Sequence, residues 1–280
     1  ALRRVGGMGL DLTLVDPDPA RRSSLASRHG VTSQVGSHRE VLDRVDGAVI
    51  ATPHSTHVPI SLDFVRAGIP VLVEKPLGTD VAEVRSLQAR SAELGVAVAV
   101  NQTRRFIPAC EEIGRQVAAG ALGRILRVDA EEGDRFGWPA ATPSMFGARS
   151  GGRGVLLDIG AHALDLIHWW LDTPLSLLDH LDDSFGGSEA SSTTRFDAGG
   201  IPVHLRLSWL ARQSNLYRIE GTEATLEWQV HELDRVVRRD RRGGERVVRA
   251  PGAPPTYEAL GDRVMANFLS VIEGREEPAV

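Results

Sequence analysis

At 280 residues the chain has room for two domains, each with an ample core. A net charge of -5 and an isoelectric point near 6.0 argue against nucleic acid as the main partner. No apolar run approaches the length of a membrane span, no secretory signal is evident, and the single cysteine, Cys110, excludes an internal disulfide and a cysteine-based zinc site. The expected setting is therefore reducing and cytoplasmic. In chain order, Leu10 to Val15 alternates and ends at Asp16, with Pro17-Asp18-Pro19 following, which predicts a strand, a turn and a helix through His29 to Gly30. Val31 to Val35 predicts a short strand, Glu40 to Val45 a short helix, and Ala48 to Ala51 a buried strand that breaks into Thr52-Pro53-His54 and His57. A helix from about Val58 to Ala67 closes at Gly68, and Val71 to Glu74 is the next strand. Thr79 and Asp80 cap a helix that ends at Gly95, and Val96 to Val100 is one more apolar strand, ending at Asn101.

Strands alternating with helices of this length predict a doubly wound, parallel-sheet, nucleotide-type domain over residues 1–103. The character then changes. A helix from Ile107 to Ala119 and a strand from Arg124 to Glu132 lead into a glycine-rich irregular segment, Gly133 to Gly154, that carries Phe136, Trp138 and Phe146. Leu156 to Leu171 predicts a helix, and from Leu175 strands follow in succession. Among them are the alternating Val203 to Trp209, Leu216 to Glu220, Ala224 to Val230, and a hairpin of Val236-Val237 with Val247-Val248 turning at Gly243-Gly244. Tyr257 to Ile272 is the last helix. Residues 104–280 are thus expected to form an α+β domain with an open, mostly antiparallel sheet.

Of the 32 basic residues 31 are arginine, and Lys75 is the one lysine. Arginine does not replace lysine where a compact ammonium is needed, and Lys75 falls at the carboxyl end of a buried strand, before Pro76. Open α/β sheets bind their ligands in the crevice outside those ends. A strand-capping lysine is the alternative. A second constellation is Asp158, His162 and Asp165, spaced i, i+4 and i+7, near one face of an α-helix. A carboxylate beside an imidazole fixes its tautomer, as a general base requires, although an N-cap Asp with a buried His gives the same pattern. Thr52, Pro53, His54 and His57 lie where a strand delivers its loop to a dinucleotide, and the two histidines give no clear metal-ligand pattern. Asp16 is poised for a ribose diol, which favours NAD, while Arg21 and Arg22 could instead hold the 2′-phosphate of NADP. The arginine-rich stretch from Arg235 to Arg249 predicts the solvated face of a hairpin. The strand and G-x-G-x-x-G turn that should open a dinucleotide domain are missing, since Gly6-Gly7-Met8-Gly9 lies too close to the strand ending at Val15.

Ala51-Thr52-Pro53-His54 with His57, Glu74-Lys75-Pro76, and Leu157-Asp158-Ile159-Gly160-Ala161-His162 with Asp165 together resemble the signatures of the glucose-fructose oxidoreductase / inositol dehydrogenase (Gfo/Idh/MocA) family. The resemblance runs over nearly the whole chain. It implies a Rossmann domain joined to an open-sheet domain that often forms the oligomer interface, with NAD(P)-dependent oxidation or reduction of a sugar, polyol or related compound. By matching position, Lys75 would hydrogen-bond the reacting oxygen, His162 would exchange the proton, and Asp158 would orient the site or bind a neighbouring hydroxyl. Glu74 and Trp138 would line the cofactor, and Arg105 the substrate. Family members begin with the strand and glycine turn that are absent here and continue past Pro278, so the resemblance implies a chain short at both ends. A non-catalytic sugar- or partner-binding module, or NAD-dependent sugar chemistry without net redox, stays open on the same scaffold.

Overall fold

Aspartates open the helices of the first unit and glycines close them. In a computed structural model describing residues 9–137, 154–185, 187–251 and 256–280, Asp18 accepts the backbone N–H of Ala20 and Arg21 at 2.9 and 3.2 Å and opens α1 (Pro19–His29). Gly30 ends that helix in the left-handed region, φ 60°. Asp80 accepts the Glu83 N–H at 2.9 Å and opens α3 (Val81–Leu94), which Gly95 ends at φ 63°. Between them lies α2 (His57–Arg66).

The strands of this unit are short and parallel, but they form two ladders where one continuous sheet was expected. β1 (Thr13–Val15) pairs with β2 (Ser33–Val35). β4 (Val71–Val73) pairs on one side with β3 (Ala48–Ile50) and on the other with β5 (Val98–Val100). No ladder joins the two sets among the described residues. As the middle strand, β4 is covered on both faces, and Val71, Leu72 and Val73 are 0, 2 and 0 % exposed. That explains its uninterrupted apolar run. Ile50, Phe64, Ile69 and Val41 complete the core around it.

The chain divides into two compact units, residues up to Asn101 together with Gly261–Val280, and Gln102–Leu260. The last twenty residues therefore differ from the expected assignment to the second domain. The reason is packing within the first unit: Gly47 leaves room for Ile272 and Phe268 of α6 (Tyr257–Ile272), and the Val280 carbonyl accepts the Val100 N–H at 3.1 Å.

The second unit is built on an eight-stranded sheet. Its strands are β6 (Ile125–Gly133), β7 (Ser176–Asp182), β8 (Ser191–Ala198), β9 (Ile201–Ser208), β10 (Leu216–Gly221), β11 (Ala224–Gln229), β12 (Arg235–Asp240) and β13 (Glu245–Arg249). Their spatial order is β13-β12-β11-β10-β6-β9-β8-β7, antiparallel throughout except where β6 runs parallel to β9. On β9, Val203, Leu205 and Leu207 are buried while Arg206 is exposed, the alternation of a sheet with one wet face. The dry face meets α4 (Pro108–Ala118) and α5 (Ala161–Leu171), whose Ile113, Leu166, Ile167 and Trp170 pack with Tyr217 and Trp228. The wet face carries ion pairs such as Arg206–Glu131 at 3.0 Å and Arg127–Asp129 at 2.6 Å. No helix among the described residues is long and apolar enough to cross a membrane.

Candidate active site

In the first unit the sequence-predicted residues gather where β3 and β4 end. The ladder continues past the strands: Glu74 N–H donates to Ile50 at 2.8 Å, and Asn101 N–H to Val73 at 2.7 Å. Asn101 Nδ2 then donates to Glu74 Oε1 at 2.6 Å, which fixes the carboxylate of the residue that precedes half-buried Lys75. Lys75 precedes a cis peptide to Pro76. His57 opens α2 with no exposed surface, its Nδ1 lying 2.8 Å from the Pro76 carbonyl and its Nε2 2.8 Å from the Thr52 carbonyl. The ring thus ties the loop after β3 to the loop carrying Lys75. His57, expected to line a cofactor, is buried, and both its ring nitrogens face backbone carbonyls. His54 lies edge-on to it, 5.6 Å between centroids. The Thr56 hydroxyl, 2.7 Å from both Thr52 Oγ1 and the Pro53 carbonyl, closes the Thr52–Thr56 turn.

Asp16 follows β1. Its Oδ1 accepts the Asp18 N–H at 2.8 Å and its Oδ2 accepts Arg21 at 3.2 Å. Arg22 donates to the Asp16 backbone carbonyl. Both arginines considered for a 2′-phosphate are thus turned onto Asp16. A carboxylate has about four acceptor sites, and two of these are used, so it keeps capacity for a ribose diol. The residues present fit the ribose end of a dinucleotide. A glycine-rich turn to seat the diphosphate has no counterpart among the described residues.

In the second unit the expected helix from Leu156 divides. Leu156–Gly160 winds as a π-helical turn and only Ala161–Leu171 is α-helical. Glu189 holds the start of the turn, its carboxylate accepting the N–H of Gly154 at 3.2 Å and of Leu156 at 3.0 Å. Gly160 brings the turn against the sheet. A Cβ there would lie 2.8 Å from Leu156 Cδ1 and 3.1 Å from Leu207 Cδ1.

The partner of His162 Nδ1 is Gln102 Oε1, at 2.9 Å, and Gln102 Nε2 donates to the Ala161 carbonyl at 3.3 Å. Asp165 is claimed by Arg105, which donates to it through Nε and Nη2 at 2.9 and 2.7 Å and lies over the Trp169 ring, 5.4 Å from its centroid. Arg105, expected to meet substrate, is bound as a brace on α5. Gln102 and Glu189 were missed by sequence reasoning. Gln102 had one signal, a polar residue two positions past the apolar strand Val98–Val100. Glu189 had none, since its partners lie 33 and 35 residues away. Trp138 lies outside the described residues.

Behind this region Glu132 accepts a two-pronged hydrogen bond from Arg104 and another from the Tyr217 hydroxyl. Burial pushes the Tyr217 hydroxyl well above its ordinary range, and the Glu132 charge adds to the shift. Burial opposes the Arg104 charge, but Glu132 outweighs it and the guanidinium is held more firmly protonated than usual. No three His, Cys, Asp or Glu side chains among the described residues are grouped to hold a metal.

Residues 12–102 match the profile of an oxidoreductase family with an NAD-binding Rossmann fold, and residues 111–227 match the GFO/IDH/MocA C-terminal domain. The rhizopine catabolism protein MocA of Rhizobium meliloti is 31% identical over 156 residues, 56% of this chain and 47% of that protein. Inositol 2-dehydrogenase 4 of Saccharopolyspora erythraea is 33% identical over 172 residues, 60% of this chain and 48% of that protein. The matched stretch spans about half the length of these curated relatives. Among solved structures, an inositol dehydrogenase homolog complexed with NAD+ from Azotobacter vinelandii superposes with a TM-score of 0.85 at 21% identity, covering 93% of this chain and 77% of that one. That likeness concerns the fold.

Proposed function

This chain belongs to the Gfo/Idh/MocA oxidoreductase family, and from that premise we propose that it oxidises a secondary hydroxyl of a sugar or polyol, or reduces the matching carbonyl, with NAD. The observation that carries the reading is Lys75, the one lysine of the chain, half-buried just past the end of the central strand and directly after Glu74, whose carboxylate Asn101 holds. An ammonium in that setting donates to the reacting oxygen and stabilises the negative charge that develops on it. Bound NAD+ supplies the hydride acceptor for the carbinol carbon. His162 takes the hydroxyl proton during oxidation and returns it during reduction. Asp158 orients the substrate through a neighbouring hydroxyl. Thr52, Pro53 and His54 line the cofactor, and Asp16 accepts from its ribose diol. With Arg21 and Arg22 both engaged by Asp16, the preference is for NAD over NADP.

The test is turnover of inositol and a panel of related polyols and sugars, followed as NADH formation. Lys75→Met and His162→Ala are each expected to lower kcat by about 10²- to 10⁴-fold in folded protein. Wild-type turnover by either variant removes the role assigned to that residue. Titration with NADH and NADPH is expected to show tighter binding of NADH. A folded chain that binds polyol but neither nucleotide would move the assignment to a non-catalytic binding module.

A further inference from the structure

We propose that Gln102 is a positioning residue that sets the tautomer of His162, so that Nε2 is the atom that exchanges the proton. The inference rests on the catalytic reading of His162 given above but is reached from hydrogen-bond chemistry alone. The Ala161 carbonyl can only accept, and it lies 3.3 Å from Gln102 Nε2, so the amide NH₂ must face it. That turns Gln102 Oε1 toward His162, 2.9 Å from Nδ1. An amide oxygen carries no hydrogen, so Nδ1 must be the donor. A neutral imidazole has one N–H, and with that proton on Nδ1 the lone pair is on Nε2. In the oxidation direction the substrate O–H bond breaks, an Nε2–H bond forms, and the ring becomes an imidazolium. Nδ1–H is unchanged, so the bond to Gln102 persists through the cycle.

The backbone anchors this arrangement. Gln102 is 8 % exposed and donates to the residue that immediately precedes His162, so the amide and ring are held by one turn of one helix. Opposite Nδ1 stands a neutral amide. Gln102 therefore orients the ring without adding a charge that would hold the proton on it.

Nitrogen-15 spectra of the 280-residue chain, taken where the rings are neutral and with His162 identified by its loss in His162→Gln, read the tautomer directly. The expected spectrum shows His162 protonated at Nδ1 and bare at Nε2. Gln102→Leu is expected to move the proton to Nε2. Gln102→Glu, which keeps an oxygen opposite Nδ1, is expected to leave it in place. With inositol and NAD+, Gln102→Leu should lower kcat by about 100-fold while KM stays nearly constant. A neutral wild-type ring protonated at Nε2, or a Gln102→Leu spectrum identical to wild type, overturns the proposal. Should Gln102→Leu not fold, the wild-type spectrum still decides, because a neutral ring protonated at Nε2 overturns the proposal. The spectrum tests the tautomer and His162→Ala turnover tests the catalytic role, so failure of one is distinguishable from failure of the other.

Discussion

Two residues outside the proposed chemistry show how burial and charge act on single groups. Cys110 has no exposed surface, and burial pushes its thiol well above the ordinary range. Thiolate is the reactive form, so Cys110 is expected to resist a thiol-specific reagent in the native chain and to react in denaturant. Rapid stoichiometric labelling of native protein would contradict that burial. Asp63 is held below the usual carboxylate range, first by its hydrogen bond with His38, at 2.9 Å, and then by the charges of Arg39 and His38, against the opposing effect of burial. A depressed carboxylate stabilises the fold fully above its unfolded value, near pH ~4. That stability is lost as pH falls through the lower folded value. Asp63→Asn should therefore lower stability at neutral pH and flatten its decline between about pH 5 and 2, a change that acid-denaturation midpoints will read.

At the scale of elements, close approach of backbones decides what is tolerated. Gly221 ends β10 where the chain of Leu122 crosses it, and an added Cβ would lie 2.2 Å from the Leu122 carbonyl oxygen. Backbone cannot swing aside as a side-chain tip can. Gly221→Ala should cost about 2 kcal/mol or more, measured as a lower denaturant midpoint with the slope unchanged; a midpoint equal to wild type would show that the crossing is loose. Gly160 presents the opposite case, since the nearest atoms to its missing Cβ are leucine methyls that can shift. The helices were legible because their ends are written locally. Asp80 with Glu83, Gly30 and Gly95 act within one turn of the structure they define. The π-helical turn at Leu156–Gly160 was not legible, because its first N–H groups are satisfied by Glu189, far along the chain. Leu177, Leu178 and Leu181 on edge strand β7 are more than 60 % exposed, so their apolarity misleads about which side is core.

For the whole molecule, the division into two units departs from a single cut along the chain. Leu260 belongs to the core of the second unit, while Gly261 onward belongs to the first. Phe268, 2 % exposed, lies 3.5 Å from the position a Gly47 Cβ would take. Phe268→Ala is expected to cost about 3–5 kcal/mol, with the loss concentrated in the first unit. Hydrogen exchange should show faster exchange around Ala48–Ile50 and Val98–Val100, with β8 to β10 unchanged. Equal acceleration in both units would mean that they unfold as one cooperative body.

By itself the sequence determined the kinds of element, their order, the change from alternating strands and helices to successive strands, and the prominence of Lys75 and His162. Those properties depend on periodicity, capping and composition, which act over a few residues. Only the tertiary structure decided which polar groups meet. It brought Gln102 to His162 across 60 residues, Arg105 to Asp165 across 60, and His57 to the carbonyl of Pro76 across 19. A buried hydrogen-bonding group must find a partner, but which partner is settled by the packing of distant elements, and local spacing does not encode it.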